Sequence, residues 1–124
     1  TMNIKGQNIS GSQKIPLTIL IGRDTEGRAE IFAAALQSTN RAIIVGTRTN
    51  GNIESVHLIP LLDGSRIFVS STSYKTVSGF SVGLFGIEPN IRVSIDWDSV
   101  TPMKDPVINS ALLTLRREKE NEKY

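Results

Sequence analysis

The 124-residue chain contains no cysteine and only one histidine, His57. The first absence excludes disulfides, thiol catalysis and thiolate-held metals. The second excludes a multi-histidine metal centre within one chain. Charge of one sign is also scarce: 14 basic residues face 12 acidic ones, for a net +2. The pI of about 9.2 reflects that small excess rather than a strong field. From Arg116 onward the tail mixes basic and acidic residues, and no segment forms a block of one sign. Composition therefore gives no support for a nucleic-acid partner. No apolar run approaches the ~18 residues of a membrane span. Thr1–Gln7 lacks the apolar core of a signal peptide. No cofactor motif is present: Gly83 and Gly86 are followed by no Lys-Ser/Thr pair and do not make a phosphate loop.

What is there reads as one α/β domain, residues 1–124. Residues 1–14 are a polar lead-in, residues 15–115 a core and residues 116–124 a charged tail. Ile15–Ile21 (IPLTILI) is a β-branched run expected as a strand apolar on both faces. Ala29–Gln37 (AEIFAAALQ) has three consecutive alanines and is expected as a helix, with Ile31, Ala34 and Ala35 on its packed face. Asp24 or Thr25 is the expected cap, and Glu26 suits a first turn. Arg41–Gly46 (RAIIVG) is a second buried strand, so strand, helix and strand make a parallel βαβ unit. Ile53–Pro60 and Arg66–Thr72 flank Leu62-Asp63-Gly64-Ser65 and read as a hairpin. Ile91–Ile95 is a short strand. Lys104–Glu118 is a final helix, with Asp105 as N-cap, Pro106 at its first position, and Val107, Ala111, Leu112 and Leu115 as its stripe.

The order of short motifs says more than any one of them. DTEGRAEIFAAALQ is followed by RAIIVGTRTNGN, then by LLDGSRIFVSSTSYKTVSGFSVGLFGIEPNI, then by KDPVINSALLTL. That succession, from about Pro16 to Leu115, resembles the C-terminal portion of the catalytic domain of the C-terminal processing peptidases, or tail-specific proteases. The resemblance implies a crotonase/Clp-protease-like fold fragment with a βαβ unit, a β-hairpin and a C-terminal helix. It implies descent from serine endopeptidases that use a serine and a lysine, and an extracytoplasmic setting such as periplasm or envelope.

The residues that should carry the chemistry depart from the family pattern. The family serine stands three residues before a helical glutamate. That glutamate corresponds to Glu30, which places Gly27 at the nucleophile position. The family lysine falls in Thr-Phe-Gly-Lys, here Thr49-Asn50-Gly51-Asn52, so Asn52 takes its place. Glycine offers no nucleophile, and an amide cannot accept a hydroxyl proton. Val56 replaces the glutamine that often orients the lysine. The family's upstream Asp-Leu-Arg and Gly-Gly segment, its PDZ domain and the first half of its catalytic fold have no counterpart here.

Other candidate residues also have plain structural roles. Thr25 is the nearest hydroxyl, with helix capping as its bland role. Lys14 and Lys75 are bases only if the fold brings them to a hydroxyl. Glu26 with Arg28 reads as a solvated first turn, and His57 as a strand residue. Asp96 and Asp98 around Trp97 read as loop charges. Phe80, Leu84 and Phe85 could form a contact surface, though burial at the domain edge is the readier role. The expected function is a non-catalytic peptidase-like domain serving as scaffold, oligomerisation or peptide-binding module. Its partners would be an extended peptide or protein chain and a second copy. An active serine peptidase completed by residues outside the chain is the alternative, and a nucleic-acid module a third.

Overall fold

In the computed structural model the described residues are 9–121, apart from 54, 55, 71, 72, 77, 78, 80, 84, 95–99, 102 and 103. The element order is β1 (Thr18–Ile21), α1 (Arg28–Ser38), β2 (Ile43–Gly46), β3 (Val56–Pro60), β4 (Arg66–Ser70), β5 (Ile91–Arg92) and α2 (Pro106–Asn121). Strands β1, β2 and β5 form a parallel sheet with β2 in the middle. Thr18 lies opposite Ile43, Ile21 opposite Gly46, and Val45 opposite Ile91. The βαβ unit read from the sequence is therefore present.

Alternation along β2 explains the layering. Ile44 and Val45 are both fully buried, but on opposite faces of the sheet. Ile44 packs with Ile21, Ala33, Ala34, Ile53, Val82 and Ile87 on the α1 side. Val45 packs with Val107 and Ala111 of α2 on the other. Burying each Ile or Val side chain contributes about 1.5–3 kcal/mol. The second helix starts as its sequence requires: Asp105 Oδ1 accepts from the amides of Val107 (2.8 Å) and Ile108 (3.3 Å), and Pro106 follows at the first position. The sheet's third strand is short. Asn90 Oδ1 extends its edge by accepting from Ile44 N–H at 2.8 Å, while Gln37 Nε2 holds that oxygen at 3.1 Å.

Several expectations need correction. Strand β1 begins at Thr18, because Ile15 and Leu17 stand exposed, and Leu20 keeps 44% of its surface. Helix α2 packs against that strand, yet Leu20 stays partly open. Helix α1 buries Glu30, Ala33 and Ala34, and leaves Ala35 outside. On α2, Leu112 is exposed although Val107 and Ala111 are buried. Strands β3 and β4 form an antiparallel hairpin as expected, Val56 opposite Ser70 and Pro60 opposite Arg66. Every residue of that hairpin is exposed.

Candidate functional site

Between β1 and α1 the chain makes a tight turn. Thr25 N–H donates to Gly22 O and Gly22 N–H donates to Thr25 Oγ1, both at 3.0 Å. Thr25 thus closes this turn rather than capping α1. The N-cap is Gly27, with φ 63° and ψ −128° and no side-chain cap. A left-handed φ of this kind is open to glycine and strained in other residues. There is room for a side chain all the same: a Cβ built on Gly27 would meet nothing closer than Asn52 O at 3.9 Å.

Gly27 N–H donates to Asn52 O at 3.0 Å. The two positions that the resemblance assigns to serine and lysine are thus neighbours, although 25 residues separate them in sequence. Beneath them lies Glu30, third in α1 and fully buried. A glutamate at that helical position commonly turns back to the N-cap amide. Here the N-cap amide is engaged by Asn52, and the carboxylate reaches across to the loop after β2. Its Oε1 accepts from Gly51 N–H at 2.9 Å and from the Thr49 hydroxyl. Thr49 Oγ1 in turn accepts from Ile87 N–H at 2.7 Å. Glu30 Oε2 is buried with no hydrogen-bond partner. Gly86, with φ +67°, lets the two loops close, since a Cβ there would lie 2.1 Å from Thr49 O.

An open cleft of about 810 Å³ lies off the carboxyl ends of β1, β2 and β5, the place where open parallel sheets bind ligands. Gly22–Thr25, Thr47–Asn50, Phe85, Arg92 and Ser94 line it. Three arginines, Arg23, Arg48 and Arg92, come from three strand ends. Arg48 Nε donates to Phe85 O at 2.5 Å and lies 3.9 Å from Glu88, and Arg92 lies 3.8 Å from the same carboxylate. These ion pairs are exposed and contribute little to stability.

The remaining candidates scatter. Val56 sits exposed on the β3–β4 hairpin with His57. Lys14 precedes β1, Lys75 bridges to Ser81, and both are exposed. Glu26 and Arg28 are exposed at the start of α1, as a solvated turn requires. Phe85 is 61% exposed beside the cleft. Asp96, Trp97, Asp98, Phe80 and Leu84 lie outside the described residues. Among the described residues no group of three His, Cys, Asp or Glu could hold a metal ion, and no helix is long and apolar enough to cross a membrane. Sequence reasoning missed the burial of Glu30 and the convergence of the arginines. Glutamate at the third helical position was the available signal for the first.

A parallel sheet flanked by helices, with a cleft at its strand ends beside a glycine turn into a helix, defines an α/β scaffold. The family model for peptidase family S41 matches residues 2–93, and the chain belongs to that family. It is 37% identical over 87 residues to carboxyl-terminal-processing peptidase 1, chloroplastic, of Arabidopsis thaliana, covering 68% of this chain and 17% of that protein. It is 32% identical over 78 residues to the chloroplastic C-terminal processing peptidase of Tetradesmus obliquus, covering 63% of this chain and 17% of that one. Among solved structures, the photosystem II D1 C-terminal processing protease superposes with a TM-score of 0.58 at 30% identity, over 72% of this chain and 22% of that chain. The fold is accordingly that of the C-terminal processing proteases. The chain spans about a fifth of the length of these relatives.

Proposed function

We propose that this chain is a peptidase S41 domain without catalytic activity that binds extended peptide segments. The observation that carries the reading is the pairing of Gly27 and Asn52. They are joined through the backbone at 3.0 Å, and their side chains supply neither a hydroxyl nor an amine. Losing nucleophile and base together removes most of a covalent mechanism, because the two act in one step. Binding does not depend on that dyad. Main-chain hydrogen bonds can hold an extended peptide at a strand edge, and the cleft's arginines favour peptides that carry carboxylates. A second copy of the chain is the other partner this reading includes.

The test is to incubate the chain with fluorescent unstructured peptides, acidic and basic, and to follow anisotropy together with the peptides' mass. Saturable binding of the acidic set without fragments is expected. Cleavage that copurifies with the folded chain would overturn the proposal. It would favour instead an active peptidase, with Thr25, the hydroxyl nearest Gly27 in sequence and part of the cleft lining, as the first nucleophile to examine.

A further inference from the structure

Two of the cleft's arginines share an acid that is not part of its lining. Arg92 ends β5 opposite Gly46 in the ladder, and Arg48 stands two residues past that same Gly46. Adjacent parallel strands thus deliver both guanidiniums to the cleft. Glu88 lies behind them: its Oε2 is 3.9 Å from Arg48 Nε, and its Oε1 is 3.8 Å from Arg92 Nη1. The backbone around Glu88 is pinned. Gln37 Nε2 donates to Glu88 O at 2.9 Å, Ile87 is buried, and Asn90 Oδ1 accepts from Ile44 N–H. The Glu88 side chain, by contrast, is 55% exposed.

Its hold on the arginines is loose. Both separations exceed the roughly 2.7–2.9 Å of a charge-assisted hydrogen bond. Arg48 Nε is already spent on Phe85 O, and the terminal amino groups of Arg48 and Arg92 meet no hydrogen-bond acceptor among the described residues. Two planar donor forks are therefore open, with one nearby carboxylate that fills neither. We propose that Glu88 is an internal counter-ion that competes with a ligand carboxylate for Arg48 and Arg92. A carboxylate entering the cleft takes the forks in bidentate fashion, and Glu88 gives them up. This inference rests on the cleft binding acidic peptides, and it adds how that binding is restrained. Asp24 supplies a comparison within the same cleft. It lines the cleft and carries the same charge, but no ion pair ties it to an arginine among the described residues.

The test is a set of anisotropy titrations with two fluorescent probes. One is a glutamate-rich peptide with an amidated end, and the other a neutral peptide with a free carboxyl end, which separates side-chain from terminal carboxylates. At low salt Glu88→Gln should tighten binding of whichever probe the cleft takes by about 2- to 5-fold, the scale of an exposed ion pair. Asp24→Asn should gain less than half as much. Arg92→Gln should weaken binding, and should shrink the gain from Glu88→Gln when the two are combined, because competition needs a shared partner. The gain should also vanish at roughly 1 M salt, where charges are screened within about 3 Å. Equal urea midpoints for the variants and the unaltered chain guard against a folding defect. Unchanged or weaker binding by Glu88→Gln would overturn the proposal, as would equal gains from Glu88→Gln and Asp24→Asn, which would reflect net charge alone. Either result leaves the acidic-peptide reading standing. Binding of neither probe by any variant would overturn both.

Discussion

Ile44 and Phe68 are both apolar residues near the middle of a strand, yet their surroundings are opposite. Ile44 lies between a helix and a parallel sheet with none of its surface exposed, and Phe68 keeps 67% of its own. Apolar content does not distinguish the two regions: β2 reads IIVG and β4 reads RIFVS. What separates them is connectivity. The βαβ unit brings its own cover, since α1 must cross the sheet to join two parallel strands. A hairpin joined by a tight turn brings none, so its apolar faces stay open among the described residues. One half of this molecule is stabilised from within, and the other presents a surface.

That contrast can be broken most forcefully at its centre. Ile44→Ala should cost about 2–5 kcal/mol in urea unfolding, whereas Phe68→Ala should leave the monomer's stability nearly unchanged. Comparable losses at both sites would show that the hairpin is packed after all. Glu30→Ala should come next, at about 1–3 kcal/mol for each buried donor left without its acceptor. The Thr49 hydroxyl and the Gly51 amide are those donors, and faster amide exchange at Gly51 is the accompanying signature. Asp105→Ala should cost about 1 kcal/mol by uncapping α2, with thermal melting as the measure.

The smallest effect belongs to the hairpin turn. Asp63 accepts from the Ser65 hydroxyl at 2.6 Å and from the Ser65 amide at 3.0 Å, and these bonds hold its carboxyl below the ordinary value. Its contribution is therefore present above the ordinary carboxylate range and is lost as pH falls through the lowered value. Ser65 amide exchange should accelerate in acid only below that range, and Asp63→Ala should remove the pH dependence.

The fold's outline was legible where local chemistry dictates it. Two β-branched runs flanking an alanine-rich helix specify the parallel unit, Asp63-Gly64 the hairpin turn, and Asp105-Pro106 the start of α2. The site was legible only as positions. Gly27 and Asn52 could be named from motif order, but not their hydrogen bond. Thr25 reads as a cap because a hydroxyl before a helix usually is one, and here the turn to Gly22 claimed it first. Glu30 reads only as the family's helical glutamate, not as a buried acceptor, because its partners are 19 and 21 residues away, on a loop whose path the sheet decides. The partnership of Asn90 with Ile44 spans 46 residues for the same reason.

The proposed function holds that the S41 scaffold persists here while the chemistry at Gly27 and Asn52 is gone. The most direct measurement is the intact mass of the folded chain after exposure to a serine-reactive phosphonate probe. The account expects the mass to remain that of the unmodified chain. A single adduct that disappears on denaturation before labelling, mapped to Thr25 or any other hydroxyl of the cleft, would contradict it.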